Sequence, residues 1–163
     1  MEVKAIVYSS NTGFTARYAK LLAEQTGLPA YDLKVAGHLP KGAPVIYMGW
    51  LMAGTVKDYR KAATRYSVKA VCGVALGTTG SQVEQVRKSC ALPEEIPAFT
   101  LQGGMDHSRL KGVYKAMIRT LIKVLSAKKN KSGDEEEMLR LLETGGDFVR
   151  KENLAQVLTW YRG

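Results

Sequence analysis

The sequence predicts an α/β protein built on an open parallel sheet with helices on both faces. Three observations carry this expectation. Four apolar runs, VKAIVY (3–8), APVIYMGW (43–50), VKAVCGVALG (68–77) and IPAFTL (96–101), have the length and near-continuous hydrophobicity of strands buried on both sides. Between them lie stretches whose apolar residues recur at helical spacing. The strand-to-helix junctions are rich in glycine, serine, threonine and asparagine, as turns require. Strands alternating with helices form βαβ units, and those units close a parallel sheet.

The elements follow in order. After the first run, Tyr18, Ala19, Leu22 and Ala23 mark a helix that starts near Thr15 and is stopped by Gly27 and Pro29. AYDL (30–33) reads as a short edge strand, and the second strong strand follows at 43–50. GTVKDYRKAATRY (54–66) reads as a helix, 68–77 as the third buried strand, SQVEQVRKSC (81–90) as a helix and 96–101 as the fourth strong strand. From residue 102 the chain changes character. It becomes a mostly helical tail interrupted by the charged hinge KKNKSGDEEE, and the sheet is the surface it is expected to pack on.

The length of 163 residues suits one domain, spanning 1–163, with a sizeable core. No apolar run approaches the ~20 residues of a membrane-spanning helix. The opening MEVKAIVYSSN lacks the pattern of a secretory signal, which leads to an expected cytoplasmic location. Cys72 and Cys90 have neither metal nor redox spacing, and His38 and His107 have no ligand cluster around them. No metal site and no catalytic acid, base or nucleophile cluster is expected. Asp106 and His107 read as caps at a helix start. The net charge of +9 is uneven: residues 1–105 carry +5, residues 106–131 carry +7, and residues 132–163 carry −3.

YSSNTGFTAR (8–17) is the most informative stretch. It lies at the carboxyl end of the first strand, where open α/β sheets bind ligands. It also opens a helix, whose free amides and dipole attract anions. Ser10, Thr12 and Thr15 offer hydroxyls, Asn11 offers an amide, and Gly13 lets the backbone come close. Such a loop is a phosphate cradle made without a fixed cation, or else an N-cap cluster with a turn glycine. It matches neither the Walker loop nor the dinucleotide fingerprint.

VYSSNTGFTARYAKLLAE resembles the phosphate-binding loop of flavodoxins. Ser10-Asn11-Thr12-Gly13-Phe14-Thr15 matches their [ST]-x-T-G-x-T pattern, at the same place after the first strand. The resemblance implies a flavodoxin-like fold, a five-stranded parallel sheet of order 2-1-3-4-5, and FMN as the cofactor. It further implies two ring-enclosing loops. The first is GWLMAGT, in which Trp50, Leu51, Met52, Ala53 and Gly54 are the candidates. The second is LGTTGS, with Leu76, Gly77, Thr78, Thr79 and Gly80. Trp50 either stacks on the ring or packs beneath a helix, and Gly77 and Gly80 are also explained by turn geometry. The chain departs from many flavodoxins in its basic charge, its long tail and the lack of an aromatic residue in the second loop. The segments GGMDHSRLKGVYKAMIRTLIKVL and GGDFVRKENLAQVL resemble a flavodoxin-domain group similar to menaquinone-dependent protoporphyrinogen dehydrogenases.

Within the tail, Leu110, Val113, Tyr114, Met117, Ile118, Leu121, Ile122 and Leu125 share one side at helical spacing, a face expected to pack on the sheet. Lys111, Lys115, Arg119 and Lys123 recur every four residues as a cationic ridge. The ridge has three candidate partners: the acidic segment 134–137, an acidic redox protein, or an anionic membrane surface. Nucleic acid ranks last, because no recognisable motif accompanies the charge. The sequence therefore leads to an FMN-binding, flavodoxin-like electron-transport flavoprotein. The alternatives are a flavin oxidoreductase acting on a quinone or a protoporphyrinogen-like substrate, and a cofactor-free binding module of the same fold.

Overall fold

The structure is a computed structural model and describes residues 2–163. Strands β1 (Ala5–Ser9), β2 (Ala30–Asp32), β3 (Pro44–Met52), β4 (Thr55–Val56), β5 (Ser67–Ala75) and β6 (Ala98–Gln102) form one sheet. Its parallel path runs β2-β1-β3-β5-β6, and β4 pairs antiparallel with the end of β3. The sheet thus has six strands where the sequence led to five. The extra one arises because β3 runs on to Met52 and folds back at Ala53-Gly54, both with positive φ.

Helices α1 (Phe14–Thr26), α2 (Tyr59–Arg65) and α3 (Val83–Ser89) link the strands, and α4 (Gly112–Ala127), α5 (Gly133–Thr144) and α6 (Ala155–Arg162) follow them. The two-residue strands β7 (Gly104–Met105) and β8 (Gly146–Asp147) pair antiparallel beside α1. Successive strand residues feed opposite cores. Val7, Val45, Tyr47 and Val71 pack with Tyr59 and Ala62 of α2 and Val86 of α3. Ile6, Ile46, Met48 and Cys72 pack with Tyr18, Ala19 and Leu22 of α1 and Val157 of α6. Burial on both faces is the reason these strands read as continuous apolar runs.

The expected helix at 54–66 begins only at Tyr59. Thr55 and Val56 are taken by the pairing with Leu51 and Met52, and Asp58 (φ 59°) turns the chain into α2. Room for this hairpin comes from two glycines in register on neighbouring strands, Gly49 and Gly73. A Cβ on Gly49 would lie 2.7 Å from Val56 Cγ1 and 2.8 Å from the Lys57 carbonyl oxygen. A Cβ on Gly73 would run into Leu51.

The tail divides into two parts. Helix α6 packs on the sheet through Val157, whereas no residue of α4 is buried. α4 pairs with α5 instead, and the two stand over the carboxyl ends of the strands. The apolar face expected to pack on the sheet therefore splits: part meets α5 and a cleft, while Val113 is exposed. Ser132 starts α5 with a reciprocal capping box, its Oγ accepting from Glu135 N at 3.2 Å. No helix among the described residues is long and apolar enough to cross a membrane.

Candidate functional site

The loop after β1 divides its labour between structure and surface. Ser9, the last strand residue, is buried and donates to Asp58 Oδ2 at 3.2 Å. The Tyr47 hydroxyl sits 3.0 Å from Ser9 Oγ and donates to the Lys57 carbonyl at 2.5 Å. Burial pushes the Tyr47 phenol well above its ordinary range, so it stays a neutral donor. This network locks β1, β3 and the β4–α2 junction together; beyond it Asn11 is exposed, Ser10, Thr12, Gly13 and Phe14 are half-buried, and Thr15 is buried.

Gly13 caps α1 at φ 100°, a conformation that favours glycine. The first turn is then closed by two bonds: Ala16 N donates to Ser10 Oγ at 3.3 Å, and Arg17 N donates to the Gly13 carbonyl at 3.0 Å. Ser10 is therefore partly spent on the helix start. The amides of Asn11 to Thr15 have no acceptor among the described residues, so five donors gather at one helix N-terminus.

A cleft of about 540 Å³ opens over this loop. Ser10, Asn11, Thr12, Phe14 and Thr15 line one end, and the hairpin residues Trp50, Leu51, Met52, Ala53 and Gly54 line a side. The end of β5 contributes Val74, Ala75 and Leu76. Its size lies within the usual range for a small-molecule site, and its lining is mostly apolar with polar groups at one end. The first expected ring loop is thus the tip of a β-hairpin. It is held by the Lys57 N to Trp50 carbonyl bond at 2.9 Å and by Ser89 Oγ donating to the Gly54 carbonyl at 2.7 Å.

The second expected loop contributes less. Of its candidates only Leu76 reaches the cleft wall. Gly77, Thr78, Thr79 and Gly80 form a turn tied back to β6 instead. Gly80 N donates to the Thr100 carbonyl at 2.9 Å, and Thr79 Oγ1 accepts from Gln102 N at 3.0 Å. Gln82, just beyond the turn, takes the place beside the cleft.

The roof comes from the tail. Tyr114, Met117, Ile118, Leu121 and Leu125 of α4 line the cleft with Met138 and Leu142 of α5. Trp50 meets Tyr114 edge to face, with centroids 5.0 Å apart, so the hairpin and the roof touch. The apolar periodicity of 110–125 was the signal for these residues, although it pointed to the sheet as their partner.

The loop is not purely neutral, which corrects the expectation of a cradle without a cation. Arg109 Nη1 donates to the Thr12 carbonyl at 3.1 Å. A second, more polar cleft of about 440 Å³ lies on this side of the loop, bounded by Gly13, Arg109, Lys111 and Asp32 among others. Asp106 does act as a cap, accepting from Ser108 N at 3.0 Å and from Ser108 Oγ at 2.5 Å, and its Oδ2 lies 3.4 Å from Arg109 Nε. The Ser108 hydrogen bonds hold its carboxyl below the ordinary range, aided by the charge of Arg109. On the ridge, Lys111, Lys115, Arg119 and Lys123 form no ion pair among the described residues. The acidic start of α5 pairs with Lys128 instead, through Glu135 at 2.5 Å.

Comparison with family models, with curated proteins and with solved structures returned no match for this chain.

Proposed function

We propose that the chain is an FMN-binding protein of flavodoxin-like fold that passes electrons through its flavin. The observation that carries the reading is the joining, in one cleft, of a donor-rich helix start with an apolar slot framed by Trp50–Gly54 and Leu76. A flavin phosphate has that division of character, with an anionic ester at one end and a flat aromatic system at the other. The strand order β2-β1-β3-β5-β6 supports the same reading, because β1 and β3 flank the point where the order reverses and where such sheets bind nucleotides.

In this reading Asn11–Thr15 hold the phosphate through amides and hydroxyls, and the hairpin tip and Leu76 border the ring. FMN bound there supplies the redox chemistry. The protein's part is to bind, orient and screen it from water. The free cationic ridge offers a surface for an acidic redox partner or an anionic membrane.

A second reading is a flavin oxidoreductase acting on a quinone or a protoporphyrinogen-like substrate. It is favoured by the apolar roof of Tyr114, Ile118, Leu121, Leu125 and Met138, which gives an apolar substrate a wall beside the flavin slot. Turnover with such a substrate separates the two. The third reading, a binding module without cofactor, predicts a colourless protein that takes up no FMN. The deciding experiment is the absorbance spectrum of the purified chain before and after adding FMN, with identification of any released chromophore. A flavin spectrum that stays with the protein through gel filtration supports the proposal, and its absence refutes it.

A further inference from the structure

Arg109 and Thr12 are 97 residues apart in sequence, yet their contact places a guanidinium against the loop. The two meet closely at position 13, where φ of 100° favours glycine and a Cβ would lie 2.9 Å from the mobile end of Arg109, Nη1. Arg109 uses Nη1 on the Thr12 carbonyl and Nε towards Asp106. Its Nη2 amino group has no protein acceptor among the described residues. Lys111, two residues on, lines with Arg109 the second cleft, which shares Ser10, Asn11 and Thr12 with the larger one, and it forms no ion pair there. Two carboxylates stand nearby: Asp32 lines the cleft with its Oδ1 accepting from Lys34 N at 2.9 Å and no ion pair, so the two cations outnumber it there, and Asp106 accepts from Ser108 and faces Arg109.

We infer that Arg109 and Lys111 are the cationic half of a phosphate-recognition site whose neutral half is the Ser10–Gly13 loop. The inference rests on the FMN reading only for the identity of the molecule that carries the phosphate. A free guanidinium amino group and an ammonium beside a row of free amides suit an anion with several acceptor oxygens and a double charge. Binding that uses two cations weakens as salt is raised, which a neutral cradle resists. Arg109 thereby selects the phosphorylated ligand over its uncharged parent.

The test compares the full-length wild type with R109Q and R109K after removal of any bound flavin. Affinities for FMN and riboflavin are read by flavin fluorescence, and inorganic phosphate binding by 31P line width. Arg109 is largely exposed, and circular dichroism checks that the variants fold. R109Q is expected to raise the FMN dissociation constant about 10- to 100-fold. R109K raises it less, riboflavin is unaffected, and the phosphate line stays sharp with R109Q. Equal losses for FMN and riboflavin would make Arg109 a mere tether of the loop and overturn the inference, as would unchanged FMN and phosphate binding. A wild type that broadens the phosphate line through Arg109 but binds neither flavin supports the anion site and refutes the flavin reading.

Discussion

Replacing Gly49 by alanine tests how the hairpin that walls the cleft is held in place. The new Cβ would stand 2.7 Å from Val56 Cγ1 and 2.8 Å from the Lys57 carbonyl, against about 3.4 Å for ordinary contact, a shortfall of ~0.7 Å. The valine side chain can shift. The carbonyl is backbone, accepts the buried Tyr47 hydroxyl and follows the amide bonded to Trp50. Moving it means sliding β4 along its pairing with Leu51 and Met52. Overpacking of this kind costs about 1–3 kcal/mol, towards the upper end if the Tyr47 hydroxyl loses its acceptor. At a urea m-value near 2 kcal/mol/M that lowers the midpoint by about 1 M. Gly133→Ala is the control, since nothing lies within 4 Å of a Cβ there. G49A should also loosen FMN binding, because the displaced residues carry Trp50–Gly54. Equal urea midpoints for G49A and wild type would refute the claim that this glycine makes room for the hairpin.

Ser132→Ala removes the side-chain half of the α5 capping box, the Oγ that accepts from Glu135 N, while the backbone amide at 132 still donates to Glu135, and it should cost about 1 kcal/mol in thermal or urea unfolding. The Cys72 thiol is buried and pushed up to about 12 by desolvation. In the native state it should resist thiol reagents at pH 8 and react once the chain unfolds. The same shift fixes a pH dependence. The folded pKa lies above the unfolded one, so the stability is intact below about pH 9. It then falls towards pH 12 by about 1.4 kcal/mol per unit from this group. Cys72→Ala should flatten that alkaline decline in urea midpoints measured from pH 8 to 11.

The parallel sheet was legible because its strands are buried on both faces, and nothing but a long apolar run satisfies that condition. The donor loop was legible for a similar reason: its local chemistry is compressed into six residues at a strand end. The β3–β4 hairpin was not, since it depends on Gly49 and Gly73 lying side by side on strands joined only in three dimensions. Residues 54–58 accordingly looked like the beginning of a helix. In the tail, the spacing of Tyr114, Ile118 and Leu125 required a buried or half-buried face but could not name what covers it. The structure gives that face to α5 and the cleft. Arg109 carried no signal either, because a basic residue in a loop has no periodicity and its contact with Thr12 is wholly non-local. The turn Gly77–Gly80 has a composition that suits a ligand loop, and its ties to β6 through Gly80 N and Thr79 Oγ1 depend on contacts that its sequence does not signal.

The central claim is that the donors between Ser10 and Thr15 grip a phosphate ester at the polar end of an apolar cleft. Its most direct test is the difference in affinity between FMN and riboflavin for the wild-type chain, measured by fluorescence titration at low salt. The account predicts FMN binding tighter by about 100-fold or more, as two or more charge-assisted hydrogen bonds would give. Equal affinities, or no binding of either, would contradict it.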